Sequence, residues 1–476
     1  MQDLDLSNSV LTMLKQLFAN SFPYPFENFF AVVVITSVTV IIAAKLLLRA
    51  YSKKLPPLSD SGMIETVQIL MGGKTAPHFY LSTMKKKGLV FRLPLPERSP
   101  WIVVCDPTLA RKILIEEDEK PALYSRFSGV TNGVPTVFSA PTHSHSWPSA
   151  RKGIAPSFSM TNIVLSLPKM YEKINELKKI LTRHESEKTT IDLPELMTQL
   201  TMDFICAGKF SSFWSKVLLY CNPTDKNFMM RLLFSHAAMF GIDHQTMQSS
   251  TSPGSLMLRE FDIALTEFAQ KHVYNPIRFL MFWNKELIRG KAAAATIEKS
   301  QQDLVNKYRS EKSPEEIEKD QSILGHLVRS PYASDRTRCA DMTTLMIAGH
   351  DTSSYTLAWI FLEISRHPAV LTKLKKEIDS VVSDGEEHIS QRHLNSMVYL
   401  DQVIKEGMRL WPVAALVVLR QNSKDIQYEG FTIPGGSICQ LCFYLINRVG
   451  IKVNSLPLTF LGCLIHYLIN LFYSAA

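Results

Sequence analysis

Apolar residues along most of the chain recur every three to four positions, the spacing of one face of an α-helix. One short helix is predicted to begin at Asp106 and Pro107, which suit a cap and a first helical turn, and to run through Ile115. The segment 334–367 is unusually long and apolar for a single helix. The pattern also predicts helices over 161–183, 192–206, 256–269, 282–308, 368–383 and 391–410.

β-structure is predicted in two short parts of the chain. Residues 89–104 have the pattern of two strands joined by a proline-rich turn at Pro94–Pro100. Residues 415–441 change to β character around a turn at Pro434–Gly436. The charged stretch 310–322 is predicted to be a surface linker between helices. The fold class that follows is mainly α with small β-sheets, in one large domain.

An almost uncharged segment near the N-terminus predicts a transmembrane helix. Residues 29–48 number 20 and contain a single charge, Lys45. This length matches the ~20 residues that cross a bilayer core, and Lys45 lies near the end, where its side chain reaches the headgroups. A signal peptide fits less well, because the preceding residues are acidic and no small-residue cleavage site follows. A buried core helix is the remaining alternative.

The charges on either side of this helix predict its orientation. Residues 1–28 hold three acidic residues and one lysine, whereas residues 45–54 hold four basic residues. Because basic flanks stay on the cytoplasmic side, we expect a single-pass protein on an internal membrane with a cytosolic body. The predicted divisions are a short non-cytosolic N-terminus at 1–28, the helix at 29–48 and a basic, proline-containing hinge at 49–57.

Composition narrows the class of protein. The 476 residues are 46% hydrophobic and 20% charged, which argues against a mainly disordered chain. The 52 basic and 44 acidic residues leave a net charge of +8, a mild surplus that fits anionic lipid or an acidic partner better than nucleic acid. The 7 cysteines are scattered, and the one Cys-x-x-Cys pair, Cys439 and Cys442, has no second half for a zinc site. We interpret them as reduced intracellular thiols.

The centre of the long helix carries residues that a plain core helix does not need. Ala348, Gly349, Asp351 and Thr352 lie within a nearly uncharged stretch. A mid-helix glycine costs ~1 kcal/mol relative to alanine, and a buried aspartate costs more unless it has a partner. Gly349 would let a ligand approach the backbone, Thr352 can bond a carbonyl one turn back, and Asp351 can relay protons. A tolerated glycine on a Ser/Thr-rich buried face is the structural alternative.

Three further groups of residues indicate a function less specifically, because each also has an ordinary structural explanation. Glu406 and Arg409 are three positions apart, so they share a helix face and can pair, as surface residues commonly do. Pro148 suits the first turn of a helix, on which Trp147 and Arg151 are four positions apart. Their indole N–H and guanidinium would then point to the same side and suit one carboxylate or phosphate group. Arg420 ends an apolar run, where an ordinary strand-end charge would also fit.

Taken together and in this order, these segments resemble the cytochrome P450 family in its microsomal eukaryotic form. Residues 348–352 are similar to the family's oxygen-binding stretch, and residues 406–409 to its E-x-x-R helix. Residues 147–151 are similar to its W-x-x-x-R helix, whose side chains meet the haem propionates, and Arg420 to its later propionate-binding arginine. The resemblance runs from the anchor to about Arg448, which implies a P450-like catalytic domain over 58–448.

The resemblance implies a haem-thiolate monooxygenase, an oxidoreductase that inserts one atom of O₂ into a substrate and reduces the other to water. Haem is the implied cofactor, and NADPH–cytochrome P450 reductase is the implied electron donor. Asp351 and Thr352 would deliver protons, while Glu406 and Arg409 would brace the core on the haem side. The implied location is the endoplasmic reticulum or another internal membrane. The implied substrate is a lipophilic small molecule such as a fatty acid, sterol or terpenoid, and no nucleic acid is expected as a partner.

One part of the family pattern does not occur in the sequence. The axial thiolate of the family belongs to a loop of the form Phe-x-x-Gly-x-x-x-Cys-x-Gly, which follows the E-x-x-R helix. The cysteines after Arg409 are Cys439, Cys442 and Cys463, and none has this setting. We therefore expect a P450 fold that is C-terminally incomplete, with no metal ligand assigned, because the axial cysteine loop is absent.

The family pattern stops at Val449. Residues 449–476 are interpreted as a non-family tail, as translation into a retained intron would produce, and a genuine alternative C-terminus is the other interpretation. Two functional hypotheses result. In the first, the chain represents a membrane-bound P450 monooxygenase. In the second, it is a catalytically dead truncated product, from a pseudogene, retained intron or splice variant, that cannot ligate haem through cysteine.

Overall fold

The computed structural model describes twelve stretches of the chain, which together contain every helix and strand named below. The described residues are 55–72, 75–117, 119–142, 144, 155, 160–206, 246–247, 251–275, 278–320, 322–382, 389–416 and 418–449. The predicted transmembrane helix at 29–48 and most of the non-family tail therefore lie outside the described residues. In the described ranges, no helix combines the length and hydropathy that a bilayer crossing requires.

The first described elements include two predicted strands, the predicted helix after Asp106, and three helices that the sequence pattern did not predict. Two helices, α1 (Met63–Gly72) and α2 (Ala76–Lys87), precede strands β1 (Val90–Leu93) and β2 (Trp101–Val104). Helix α3 (Pro107–Glu116) begins as predicted, because the Asp106 carboxylate accepts a hydrogen bond from the Leu109 amide at 2.6 Å. A 3₁₀ helix at Ala122–Thr131 follows.

A four-stranded sheet joins the two predicted β regions. Its order is β1, β2, β6, β3, with β3 at Val418–Gln421 and β6 at Ile438–Leu441. Strand β2 pairs antiparallel with β1 and parallel with β6, and β3 pairs antiparallel with β6. Both predicted β regions are thus confirmed, including the connection at 94–100.

Long helices form the rest of the larger compact unit, which contains Pro57–Asp425 and Pro434–Ala476. The predicted helices are confirmed with small changes of boundary. Helix α6 continues into a π-helical turn at Leu265–Lys271 and a last turn at His272–Tyr274, and a 3₁₀ turn at Arg278–Leu280 follows. The helices are α4 (Met160–Glu187), α5 (Leu193–Cys206), α6 (Pro253–Ala264), α7 (Lys285–Glu311), α8 (Pro314–Lys319), α9 (Ile323–Arg329), α10 (Asp335–Arg366), α11 (Pro368–Val381), α12 (Gln391–Ser396), α13 (Val398–Leu410) and α14 (Phe443–Ile446).

Two local predictions need correction. The stretch 310–322 is not only a linker, since it contains α8, whose first turn is closed by a capping box between Ser313 and Glu316. The single helix predicted over 391–410 is two helices, α12 and α13, which meet at Met397. Helix α13 begins anew there because the Glu377 carboxylate of α11 accepts hydrogen bonds from two of its first amides.

The long helix α10 is the centre of packing in this unit. It runs against α5 over most of their shared length and also contacts α7 and α13. One apolar core lies between α5, α6, α7 and α10, and another lies between the four-stranded sheet and α1, α2 and the 3₁₀ helix. Packing against several helices buries about half of the residues of α10 and limits how far the helix can shift.

The smaller compact unit comprises Ile426–Ile433 with the chain up to Pro56. Its described strands, β4 (Ile426–Tyr428) and β5 (Phe431–Ile433), pair antiparallel as a hairpin. The turn between them places Glu429 and Gly430 at positive φ angles of 42° and 83°, a conformation that favours glycine at the second position.

Candidate functional site

The central turns of α10 hold the residues that the sequence singles out. Thr352 donates its hydroxyl hydrogen to the Ala348 carbonyl at 2.7 Å, and Gly349 between them is buried. This hydrogen bond, from the hydroxyl to a carbonyl one helical turn earlier, is the one that the sequence predicted. Ala348 and Thr352 themselves are only partly buried, so their side of the helix is not completely covered.

Carbonyl groups in this part of α10 carry an unusual number of side-chain hydrogen bonds. Five of them within seven residues accept such a bond, at 2.7 to 3.0 Å. Bonds from Ser and Thr hydroxyls to helix carbonyls often bend a helix. The five carbonyls belong to Met346, Ala348, His350, Asp351 and Thr352.

Asp351 has an environment that favours its protonated form. Burial raises the pKa of its carboxyl above the usual range, and the nearby Asp262 carboxylate of α6 acts in the same direction. The adjacent His350 opposes the rise, but burial also lowers the pKa of that imidazole, which keeps it neutral. A carboxyl with a raised pKa is better suited to proton transfer than an ordinary aspartate.

His350 was not among the residues that the sequence indicated, yet two other helices contact it. The Thr201 hydroxyl of α5 donates to the His350 carbonyl at 3.0 Å, and the Phe261 ring of α6 stacks on the imidazole with ring centroids 5.6 Å apart. The imidazole Nδ1 lies 2.7 Å from the Met346 carbonyl and donates to it. Its place between Gly349 and Asp351 was the only signal in the sequence that could have identified it.

The structure brings Glu406 and Arg409 together as predicted. The Glu406 carboxylate accepts two hydrogen bonds from Arg409, at 2.7 Å from Nε and 2.6 Å from Nη2. Helix α13, which carries both residues, packs on α10 where Gly407 faces Ile360. The two motifs therefore lie on adjoining helices. The pair itself braces α13 rather than α10, because its other hydrogen-bond partner is the Asn447 carbonyl.

An aromatic stack lies beside this pair. The rings of Trp359 and Trp411 are nearly parallel, with centroids 4.0 Å apart, and the Trp411 indole N–H donates to the Glu363 carboxylate at 3.0 Å. The Arg448 guanidinium lies over the Trp411 and Tyr444 rings at 5.4 and 3.9 Å from their centroids. This stack joins the end of α10 to the end of α13.

The residues predicted to bind propionates are only partly described. Arg420 lies in β3, opposite Cys439 of β6, and is buried with Nη1 donating to the Leu419 carbonyl at 3.0 Å. Trp147 and Arg151 lie outside the described residues. Their roles, and that of Arg420, stay predictions.

Three of the described cysteines are poorly suited to be the axial ligand of a haem iron. All five are buried, and three of them have thiol pKa values held up by their surroundings. The Cys105 thiol is hydrogen-bonded to Cys442, and burial raises the pKa of Cys439 to about 12 and that of Cys339 to about 11. A ligand must be a thiolate, which these positions disfavour. The other two cysteines, Cys221 and Cys463, lie outside the described residues.

No other cluster in the described ranges offers a metal site. Nowhere in them do three His, Cys, Asp or Glu side chains come close enough together to hold an ion. Among the described residues, the fold thus places a hydroxyl and an acid with a raised pKa on one turn of α10. The neighbouring helix α13 carries the paired Glu406 and Arg409, and the sheet carries a buried arginine.

The chain is similar in sequence to several known proteins. Cytochrome P450 3A6 of Oryctolagus cuniculus is 25% identical over 379 residues, 78% of this chain and 69% of that protein. Protein LUTEIN DEFICIENT 5, chloroplastic, of Arabidopsis thaliana is 23% identical over 346 residues, 72% of this chain and 53% of that protein. Cytochrome P450 71B5, also of Arabidopsis thaliana, is 36% identical over 107 residues, 22% of each chain.

The alignments thus reach only about a fifth of the length of the first plant relatives. A family model described as cytochrome P450 covers much more of this chain, matching residues 56–449, a range that contains every site residue considered above. The chain therefore belongs to the cytochrome P450 family.

Proposed function

We propose that the chain is the core of a haem-thiolate monooxygenase, which oxidises a lipophilic small molecule with O₂ and electrons from a reductase. Family membership implies haem, whose iron supplies the oxygen chemistry when it is bound. The observation that carries the proposal is the turn of α10 at 348–352, where a buried glycine, an acid with a raised pKa and a hydroxyl lie together.

In this proposal, Asp351 and Thr352 deliver protons during the reaction. Because burial favours protonated Asp351, this carboxyl holds a proton at a pH where exposed aspartates have lost theirs. The Thr352 hydroxyl donates its hydrogen to the Ala348 carbonyl, which leaves its oxygen able to accept a hydrogen bond. Gly349 adds no side chain, so a ligand can approach the backbone beside Ala348.

Glu406 and Arg409 would act as a brace and not as reacting groups. Their two-pronged pair fixes the end of α13, and Arg409 extends the connection to α14 through the Asn447 carbonyl at 2.9 Å. We assign Trp147, Arg151 and Arg420 to the haem propionates. The buried guanidinium of Arg420 supports its part of that assignment, since a buried cation favours an anionic neighbour.

We also propose that residues 29–48 anchor the chain in the endoplasmic reticulum or another internal membrane. The body at 58–448 would then lie at the cytosolic surface, with 449–476 as a separate tail. Support comes from a patch of exposed apolar side chains between α6 and α7, which suits an apolar surface. Its members are Phe279, Leu280, Phe282 and Trp283, exposed by 60%, 55%, 73% and 64%.

The electron donor in the proposal is NADPH–cytochrome P450 reductase. Lys373, Lys375 and Lys376 are exposed on α11 and would favour an acidic docking partner. A fatty acid, sterol or terpenoid is the proposed class of substrate, because attachment to a membrane places the enzyme where such molecules dissolve.

A second function is favoured by one observation. Three of the five described cysteines, Cys105, Cys339 and Cys439, have a raised thiol pKa, which disfavours the thiolate that an axial ligand must supply. The alternative is therefore a catalytically dead P450 product that cannot ligate haem through cysteine.

The reduced, carbon-monoxide-bound absorption spectrum of the full chain, expressed with added haem precursor, separates these two functions. The band of a thiolate-ligated haem, with oxidation of a lipophilic substrate that depends on NADPH and reductase, supports the monooxygenase. Loss of that band in Cys463→Ser would identify Cys463 as the ligand. A spectrum without the band, or one typical of nitrogen ligation, would reject the monooxygenase and leave the catalytically dead product.

In an active chain, the proposed proton roles have their own test. Thr352→Val and Asp351→Asn should each lower product formation while the thiolate band persists. Thr352→Ser, which keeps the hydroxyl, is the matched control. Unchanged product formation in both variants would contradict the roles given to Asp351 and Thr352.

A further inference from the structure

We propose that Thr201 of α5 is a positioning residue for the proton-handling turn of α10, and that it acts through the main chain of His350. The inference deepens the proposed function and rests on it, because it concerns how Asp351 and Thr352 are held. Thr201 and His350 with Phe261 are called the clamp below.

The hydrogen bond from Thr201 reaches the turn from a separate helix. Thr201 is 2% exposed, and its hydroxyl lies 3.0 Å from the His350 carbonyl oxygen. The same hydroxyl lies 2.9 Å from the Met197 carbonyl and 3.2 Å from the Thr198 carbonyl of its own helix. A hydroxyl has one hydrogen to donate, so the bond to His350 competes with two bonds inside α5. Helix α5 also makes the most extensive packing of any element against α10.

The side chain of His350 is held by a different helix, α6. The Phe261 ring, fully buried on α6, stacks on the imidazole with an angle of 21° between the ring planes. The imidazole Nδ1 donates to the Met346 carbonyl at 2.7 Å. The main chain of His350 is therefore fixed by α5 and its ring by α6, so the residue cannot shift without breaking contacts on both sides.

The neighbouring turn needs an external support. Three carbonyls of this turn accept hydrogen bonds from Ser or Thr hydroxyls of α10 itself, namely those of Ala348, Asp351 and Thr352. Such bonds slightly destabilise a regular helix. The His350 carbonyl is the one in this group that is bonded by a side chain of another helix. The clamp thus sets where the next two residues, Asp351 and Thr352, point.

Three variants of the full-length chain separate the hydroxyl bond from simple packing. Thr201→Val keeps the shape and removes the donor, whereas Thr201→Ser keeps the donor. Thr198→Val is the matched control, because Thr198 lies on the same helix, is only partly buried, and its hydroxyl donates to the Pro194 carbonyl at 2.9 Å. A fourth variant, Phe261→Leu, weakens the ring contact and leaves Thr201 unchanged.

Hydrogen exchange followed by mass spectrometry measures the clamp directly. Thr201→Val should speed exchange in peptides covering 345–356 by about fivefold, the equivalent of one ordinary hydrogen bond. Peptides covering 335–343 should keep their rates. Thr201→Ser and Thr198→Val should match the original chain. Phe261→Leu should speed exchange in the same 345–356 peptides.

A second readout distinguishes positioning from stability alone. The titration midpoint of the Asp351 carboxyl, followed by carbon-13 resonances of labelled aspartate and assigned with Asp351→Asn, depends on its distances from His350, Asp262 and the Tyr355 hydroxyl. Thr201→Val should move this midpoint, and Thr201→Ser should restore it. A role in stability alone would lower the melting temperature and leave the midpoint in place.

The proposal is overturned by unchanged exchange at 345–356 in Thr201→Val, by equal acceleration along all of α10, or by an unmoved Asp351 midpoint. These measurements do not depend on haem. If the chain lacks the thiolate band, the monooxygenase is rejected, and the exchange data still show whether the clamp exists. If the chain has the band, the exchange data can still show that the clamp is absent.

Discussion

Arg409 and Asn447 exchange hydrogen bonds in both directions. The Arg409 guanidinium donates to the Asn447 carbonyl at 2.9 Å, and the Asn447 side-chain amide donates to the Arg409 carbonyl at 3.2 Å. The two residues lie 38 positions apart, at the end of α13 and just after α14. Since Glu406 holds the same guanidinium, the arginine connects two helix ends through one planar group.

Arg409→Lys should therefore destabilise the chain although it keeps the charge. A lysine cannot bond both Glu406 oxygens and the Asn447 carbonyl at once, so we expect a loss of about 2 kcal/mol in the free energy of unfolding. Urea denaturation of the full chain measures the loss. Arg392→Lys, at an exposed position of α12, is the control and should change stability by less than about 0.5 kcal/mol. Equal effects in the two variants would contradict the brace.

Gly407 allows α13 to approach α10 closely. A Cβ atom at this position would overlap with Cγ1 of Ile360 and lie 3.3 Å from its Cδ1. Gly407→Ala should cost roughly 1–3 kcal/mol through overpacking, even though alanine favours the helix. Thermal denaturation measures the cost, and Gly72→Ala is the control because nothing lies within 4 Å of its Cβ position.

The contact with Ile360 provides a stricter check of the same idea. In the double variant Gly407→Ala with Ile360→Ala, the new methyl group occupies the space that Ile360 leaves. The two losses of stability should therefore sum to more than the loss in the double variant. Strictly additive losses would show that the helices do not meet at these residues.

Local signals explain the parts of the fold that the sequence predicted well. The Asp106 cap and the proline after it define the start of α3, and Ser334 caps α10 through the Thr337 amide at 3.2 Å. The capping box of Ser313 and Glu316 was also readable, and attention to it would have predicted α8. Each of these signals acts within four residues, so a single sequence contains it.

Contacts between distant residues explain what the sequence did not predict. The break at Met397 depends on Glu377, whose carboxylate accepts bonds from the Tyr399 and Leu400 amides at 2.7 and 2.8 Å. The contact of Thr201 with His350 joins residues 149 positions apart. The A-G-x-D-T pattern located the site, but the helices that hold the site are visible only in the structure.

The stacked indoles of Trp359 and Trp411 should be visible in solution. Parallel rings at 4.0 Å couple electronically, so the circular dichroism spectrum should contain an exciton couplet that Trp411→Phe abolishes. The variant should also lose about 1 kcal/mol of stability, because phenylalanine cannot donate to Glu363. Trp283→Phe, at an exposed position, should leave the couplet intact. A couplet that survives Trp411→Phe would contradict the stack.

Asp341 connects α10 to the loop that precedes Trp147. Its buried carboxylate accepts hydrogen bonds from the Val137 amide at 2.6 Å and the Tyr332 hydroxyl at 2.9 Å. Burial raises the pKa of this carboxyl to about 6, although the two hydrogen bonds and the nearby Lys120 ammonium oppose the rise. Lys120 holds the same loop by donating to the Val137, Phe138 and Ala140 carbonyls at 3.1 to 3.2 Å.

A raised pKa in the folded state means that the fold favours protonated Asp341. Its contribution to stability is therefore complete below about pH 4, the unfolded value, and is lost as the pH rises through about 6. Asp341→Asn keeps the shape and removes the titration, so the stability of the original chain relative to this variant should fall by roughly 3 kcal/mol between pH 4 and pH 7. Urea denaturation of both chains at each pH measures the difference. Asp303→Asn, at an exposed position of α7, should show no such trend. A relative stability of Asp341→Asn that does not vary with pH would mean that Asp341 ionises as freely in the fold as in the unfolded chain.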